Sequence, residues 1–418
     1  MFISKKIILF LSLGLIVLVG HFVFPKTENN SLKNPKEPGD LAIEKLEPAS
    51  IGYAKGVAGG PKKETPKETT TPNPLKEQIG QMLIIGFRGT QFQKNSFIDK
   101  AIDDLKIGGV ILFDYDSPSK MFPRNITSPE QVKKLTAQLQ KNSSAPLFIS
   151  IDVEGGLVNR LKPKYGFMEI PSAKELGQGS SENTFQIAKK LGEQLKSLGI
   201  NFDFAPVVDL NINPQNPVIG KLDRSFGEDP QVVINHAESF INGLAKNKII
   251  TSIKHFPGHG SSKTDSHQGI TDITETYQAQ ELIPFQELIK KNIVPTVMVA
   301  HTFNKNLDTV YPATLSKNTI QKTLKDLVGF KGVVVCDDLS MGAISQNYGL
   351  TEAAVKMVTA GCDLIIISNN VSSYDETLPY KVSNAILQAV SSGVIATTSI
   401  EISYNKIIKL KKDFEIMK

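Results

Sequence analysis

Four of the six histidines in this 418-residue chain, His255, His259, His267 and His301, lie within 47 residues of one another. Acidic residues accompany them. Asp265 precedes His267 by two positions, Asp337 and Asp338 end an apolar run, and Asp152 and Glu154 end another. An imidazole can give and take a proton near neutral pH. A carboxylate two residues away on a loop can fix its tautomer and favour the imidazolium. A carboxylate at a strand end can act as a nucleophile. Together these suit cleavage of a bond whose leaving oxygen needs a proton and whose attacking water must later lose one. Metal chemistry fits less well. Phe256-Pro257-Gly258 forces a turn, so His255 and His259 cannot sit on adjacent helical turns, and no glutamate follows His255 as a zinc-protease motif requires. No metal and no cofactor is therefore expected, and His259 reads as structural.

The residues around these groups show what positions them. Short apolar runs occur at Leu83–Phe87, Gly109–Phe113, Leu147–Asp152, Asn201–Val208, Thr251–His255, Thr296–His301, Gly332–Asp337 and Asp363–Ser368. Amphipathic stretches lie between them. Ser128-Pro129-Glu130-Gln131 predicts an N-cap, a proline in the first turn and a capping-box Gln, with Val132, Leu135 and Leu139 on one face. Ile187, Leu191, Leu195 and Leu198 share another face, with Gly199 as the stop. Eight strands alternating with helices predict an α/β fold, a (β/α)8 TIM-type barrel. A doubly wound sheet is the alternative, disfavoured because no G-x-G-x-x-G follows the first strand. In a parallel barrel the site lies at the C-terminal strand ends, where the histidines and aspartates fall. Adjacent strand residues face opposite ways, so only one of Asp337 and Asp338 is expected to point into the mouth.

Specific motifs carry a family resemblance. They are Lys254-His-Phe-Pro-Gly-His-Gly260 followed by Asp265-Ser-His267, Ile151-Asp-Val-Glu-Gly-Gly156, Asn201-Phe-Asp-Phe-Ala-Pro-Val-Val-Asp209, Asp223-Arg-Ser-Phe-Gly227 and Asp337-Asp-Leu-Ser-Met341. With weaker matches at Pro312–Ser316 and Ala360–Asp363, the set resembles glycoside hydrolase family 3, in its single-domain bacterial β-N-acetylglucosaminidase branch. It runs in the family's order from about residue 76 to 412. The resemblance implies that Asp337 is the nucleophile of a retaining reaction, with His267 as acid/base and Asp265 as its orienting partner. Asp152, Arg160, Arg224, Lys254 and His255 match positions that hold the sugar. Surface ion pairing is the plainer role for Arg160 and Arg224. A His acid/base facing a carboxylate nucleophile is a variant of the two-carboxylate retaining scheme. Two positions depart from the family: Val153 and Leu157 stand where Gln and Arg are common, which is expected to reshape the loop after the third strand or to loosen one substrate contact. Many family members also draw a glutamate acid/base from a second domain. Here the chain ends soon after the helix Ile402–Lys412, so the acid/base must come from the barrel.

The rest of the chain bounds the setting. Lys5 and Lys6 precede an apolar run from Ile7 to Phe24. Residues 1–25 are expected to form an uncleaved signal-anchor, with a cleaved signal peptide as the alternative. Residues 26–74, rich in Lys, Glu, Pro, Thr and Asn, read as a disordered spacer. The catalytic domain would then be 75–418, held outside the cytoplasm or secreted. The composition (40% hydrophobic, 21% charged, net charge +5) allows a sizeable core and shows no nucleic-acid footprint. Trp is absent, so Tyr and Phe must supply any sugar stacking. The two cysteines, Cys336 and Cys362, sit in apolar runs and are expected to be buried thiols. The implied partner is a glycan containing N-acetylglucosamine, peptidoglycan or its fragments by the combined placement and resemblance. Other readings are a β-glucosidase-like or phosphorolytic enzyme, or a non-catalytic wall binder on the same barrel.

Overall fold

The computed structural model describes residues 74–417. The apolar run expected at 1–25 and nearly all of the expected spacer lie outside the described residues. Among the described residues no helix is long and apolar enough to cross a membrane.

Eight parallel strands close into a barrel: β1 (Leu83–Gly86), β2 (Gly109–Ile111), β3 (Phe148–Ile151), β4 (Phe202–Asp203), β5 (Ile250–Phe256), β6 (Thr296–Val299), β7 (Val333–Cys336) and β8 (Leu364–Ile367). Each falls within or beside one of the eight apolar runs. Every strand position is buried, because helices cover the outside and side chains fill the inside, leaving no wet face. Strand β1 pairs with both β2 (Ile85↔Val110) and β8 (Ile84↔Ile366), which closes the ring.

The helices follow their sequence signals. Pro129–Lys141 starts at Ser128, whose hydroxyl accepts the Gln131 N–H at 3.2 Å. Gln131 does not close the expected box on Ser128; its Oε1 accepts the Thr127 N–H at 2.8 Å, one residue earlier. Val132, Leu135 and Leu139 are fully buried. Ser181–Ser197 ends at Leu198, and Gly199 follows with φ +71°. The cysteines correct their expectation: Cys336 and Cys362 form a disulfide, with Cα atoms 5.9 Å apart. One ends β7 and the other lies just before β8, and those strands are neighbours.

Two short pairings decorate the mouth. Val153–Gly155 and Val158–Asn159 form an antiparallel hairpin after β3. Thr271–Asp272 and Thr302–Phe303 pair in parallel, tying the loop after β5 to the loop after β6.

Candidate active site

A cavity of about 360 Å³ opens where the strands end at their C-termini. This size is ordinary for a small-ligand site. Asp337, His267, Asp265, Asp152, Arg160, Arg224, Lys254 and His255 all line it. The barrel therefore brings together the eight residues given catalytic or sugar-binding roles by the resemblance, although they span nearly 190 positions, while His301 lies off the cavity against Thr314 and the Asp338 carbonyl.

The floor on the β3–β5 side is a network of buried charges. Lys254, near the end of β5, has its Nζ 2.9 Å from Asp152 Oδ1 and 2.6 Å from Glu154 Oε1. The Arg224 guanidinium donates to both Glu154 oxygens, at 2.6 and 2.7 Å, and to the Val218 carbonyl at 2.7 Å. Burial alone would push the Glu154 carboxyl up, but Arg224 and Lys254 hold it well below the ordinary carboxylate range. Burial likewise opposes charge on Lys254, and Asp152 and Glu154 outweigh it, so the lysine titrates above its usual value. Arg224 is thus a buried fork rather than a surface ion-pair residue. Arg160 is more open, 3.6 Å from Asp152 Oδ2.

His255 is held from behind. Its Nδ1 lies 2.6 Å from Asp209 Oδ2, and its Nε2 lies 3.2 Å from Arg224 Nη2. Asp209 also accepts the backbone N–H groups of His255 and His259. The loop that delivers these groups is packed tightly: a Cβ at Gly260 would lie 1.7 Å from the Leu210 carbonyl oxygen, so only glycine fits. His259, expected to be structural, also reaches the cavity wall. It is buried between the Ser262 and Ser266 hydroxyls, and burial drops its pKa to about 4, which keeps it neutral.

Asp337 and Asp338 both line the cavity, contrary to the expectation that only one would. Their hydrogen bonds separate them. Asp338 is held by Ser368 (N–H and hydroxyl) and by the Ser340 N–H. Burial raises its pKa despite those donors. Among the described residues, Asp337 accepts the Asp338 N–H alone, at 2.8 Å. Burial raises its carboxyl too, but His301, His255, that N–H and His267 outweigh it, so it stays ionised below the usual range. Environments that drive two carboxyls apart mark a division of labour. Across the mouth, His267 Nδ1 lies 2.8 Å from Asp265 Oδ1, which also accepts the His267 backbone N–H. The His267 side chain is 55% exposed, so solvent can reach it.

Glu154 and Asp209 escaped assignment from sequence, although both lie inside quoted motifs. Val153 and Leu157, the two departures, do not line the cavity. Val153 is buried with its N–H on Asp203 Oδ1, and Leu157 is 67% exposed at the hairpin turn. Among the described residues, no group of three or more His, Cys, Asp or Glu side chains is placed to hold a metal ion.

A closed parallel barrel with an ionised aspartate, a His–Asp pair and a floor of buried charges at its mouth holds the groups a glycoside hydrolase needs. The profile of the glycosyl hydrolase family 3 N-terminal domain matches residues 74–410, and the chain belongs to that family. A β-hexosaminidase of Nitrosomonas eutropha is 35% identical over 283 residues, covering 65% of this chain and 76% of its own. Among solved structures, a family 3 β-N-acetylglucosaminidase from Paenibacillus superposes with a TM-score of 0.75 at 36% identity. That match covers 82% of this chain and 63% of the Paenibacillus chain, so the present chain spans less than two thirds of it. A family 3 glycosyl hydrolase from Mycobacterium smegmatis gives 0.69 at 29% identity, covering 81% of this chain and 97% of its own.

Proposed function

We propose that the chain is a retaining β-N-acetylhexosaminidase that releases terminal N-acetylglucosamine from peptidoglycan or muropeptide fragments outside the cytoplasm. The observation that carries the chemistry is the placement of an ionised Asp337 and the Asp265–His267 pair on one cavity with the Lys254–Arg224 floor. Asp337 attacks the anomeric carbon. With Nδ1 turned to Asp265, His267 presents Nε2 and protonates the departing glycosidic oxygen, and a glycosyl ester to Asp337 forms. Water then enters on the exposed side. His267 takes its proton, the ester opens, and the sugar leaves with its configuration retained. Asp152, Lys254, Arg160, His255 and Arg224 hold the hydroxyls and orient the ring.

The acetamido preference rests on the relatives' activities. The extracytoplasmic, membrane-held location rests on the apolar run after Lys5 and Lys6, and a disulfide is compatible with an oxidising compartment. The deciding experiment compares release of p-nitrophenol from the β-N-acetylglucosaminide and the β-glucoside by wild type and Asp337→Asn. The expected outcome is turnover selective for the acetamido sugar, with a loss of about 1,000-fold or more in the variant. Full activity in Asp337→Asn would overturn the nucleophile assignment.

A further inference from the structure

The loop that carries His267 is seated on the segment that carries Asp337. The Gly342 N–H donates to the His267 carbonyl at 3.1 Å, and the Ala343 N–H donates to the Ser266 carbonyl at 3.1 Å. These two N–H groups open the short helix Gly342–Ser345, where no carbonyl of the helix itself can take them. Only Leu339-Ser340-Met341 separates that helix from Asp337 and Asp338. Beneath the loop, His259 fixes the Ser266 hydroxyl at 3.2 Å.

The seat is closer than any side chain allows. A Cβ at Gly342 would lie 2.5 Å from the His267 carbonyl oxygen and 2.9 Å from the Gln268 carbonyl carbon. Both are backbone atoms, so relief requires moving the loop itself. Gly342 has no conformational need to be glycine, because it opens a right-handed helix and its φ is not in the left-handed region. The demand for glycine comes from the neighbouring loop.

We infer that Gly342 is a positioning residue for the acid/base: its missing side chain lets the His267 loop settle at the height from which the imidazole reaches the glycosidic oxygen above Asp337. This rests on the roles proposed above for His267 and Asp337. A displaced loop would spoil proton donation while leaving the nucleophile, on β7, in place.

The test uses the full chain as wild type, Gly342→Ala, His267→Ala and Gly349→Ala. The last is a control, since the nearest atom to a Cβ at Gly349 is 3.9 Å away. The measurement is kcat/KM on aryl β-N-acetylglucosaminides whose leaving phenols grow steadily less acidic, with the pH profile, near-UV circular dichroism and melting temperature. For Gly342→Ala the expected result is a loss of about tenfold or more on the poorest leaving group, against about twofold or less on the most activated. The alkaline limb of its pH profile flattens, its near-UV spectrum is native, and Gly349→Ala follows wild type. Wild-type behaviour, an equal loss across the series, or a non-native spectrum in Gly342→Ala would each overturn the role of Gly342. If His267→Ala itself shows no leaving-group dependence, the acid/base assignment fails first. If His267→Ala shows that dependence and Gly342→Ala does not, only the positioning role falls.

Discussion

At the residue scale the site depends on buried charge compensation more than on any single group. Glu154 balances Lys254 and Arg224 in a region where an unpaired charge is costly. Glu154→Gln keeps the shape and removes the charge. It is expected to lower stability by about 3 kcal/mol in urea unfolding and kcat/KM by on the order of 100-fold, because the floor side chains shift. An unchanged kcat/KM would show that the floor tolerates a neutral partner. The family resemblance, together with strand ends rich in His and Asp, made the eight cavity residues legible in the sequence. It did not show what Glu154 and Asp209 face. Arg224 lies 70 positions from Glu154 and His255 lies 46 from Asp209, so each pair exists only once the barrel is closed. Asp337 and Asp338 were misjudged for a related reason: strand alternation governs residues inside a strand, and both lie just past the end of β7.

At the scale of elements, the local signals are strong enough to read and to test. Ser128 caps the helix Pro129–Lys141 and does not line the cavity. Ser128→Ala is expected to cost about 1 kcal/mol of stability, seen as a lower melting temperature, with kcat/KM unchanged. All eight barrel strands were legible because apolar runs bounded by polar strand ends have few other uses in an alternating α/β chain. The two short pairings were not, because two residues carry no period: Thr271–Asp272 and Thr302–Phe303 look like loop until their partners are known. The disulfide was missed on similar grounds. Apolar surroundings revealed that Cys336 and Cys362 are buried, but not that β7 and β8 lie side by side.

At the scale of the whole molecule, the barrel floor carries an unusual charge. Lys411, in the last helix Thr397–Asp413, is fully buried with its Nζ on Gln81 Oε1 at 2.7 Å and over the Phe148 ring at 4.7 Å. From sequence it is simply one of the basic residues that end a helix. Burial without a carboxylate drops its pKa to about 7, against an ordinary value of 10.5. Between those values the unfolded chain binds more protons than the folded one, so stability rises with pH from about 7 to 10.5 and is flat below, where both forms are charged. The full penalty, a few kcal/mol at most, is thus present at and below neutrality. Lys411→Met is expected to stabilise the protein by about 1–3 kcal/mol at pH 6, net of the lost Gln81 bond, and to remove the upward slope. Urea unfolding at pH 6, 7.5 and 9 checks both; a parallel pH dependence in wild type and variant would contradict it.

The same ring sets the order in which a newborn chain can become active. Strand β1 waits for β8, whose residues 364–367 are among the last of the fold to be synthesised. A ribosomal product interrupted after residue 345 would contain Asp337, His267 and the charged floor, but neither Ser368, which holds Asp338, nor a closed barrel. Competence therefore waits until β8 has been made, and shorter copies hold the residues of a cutting enzyme without its edge.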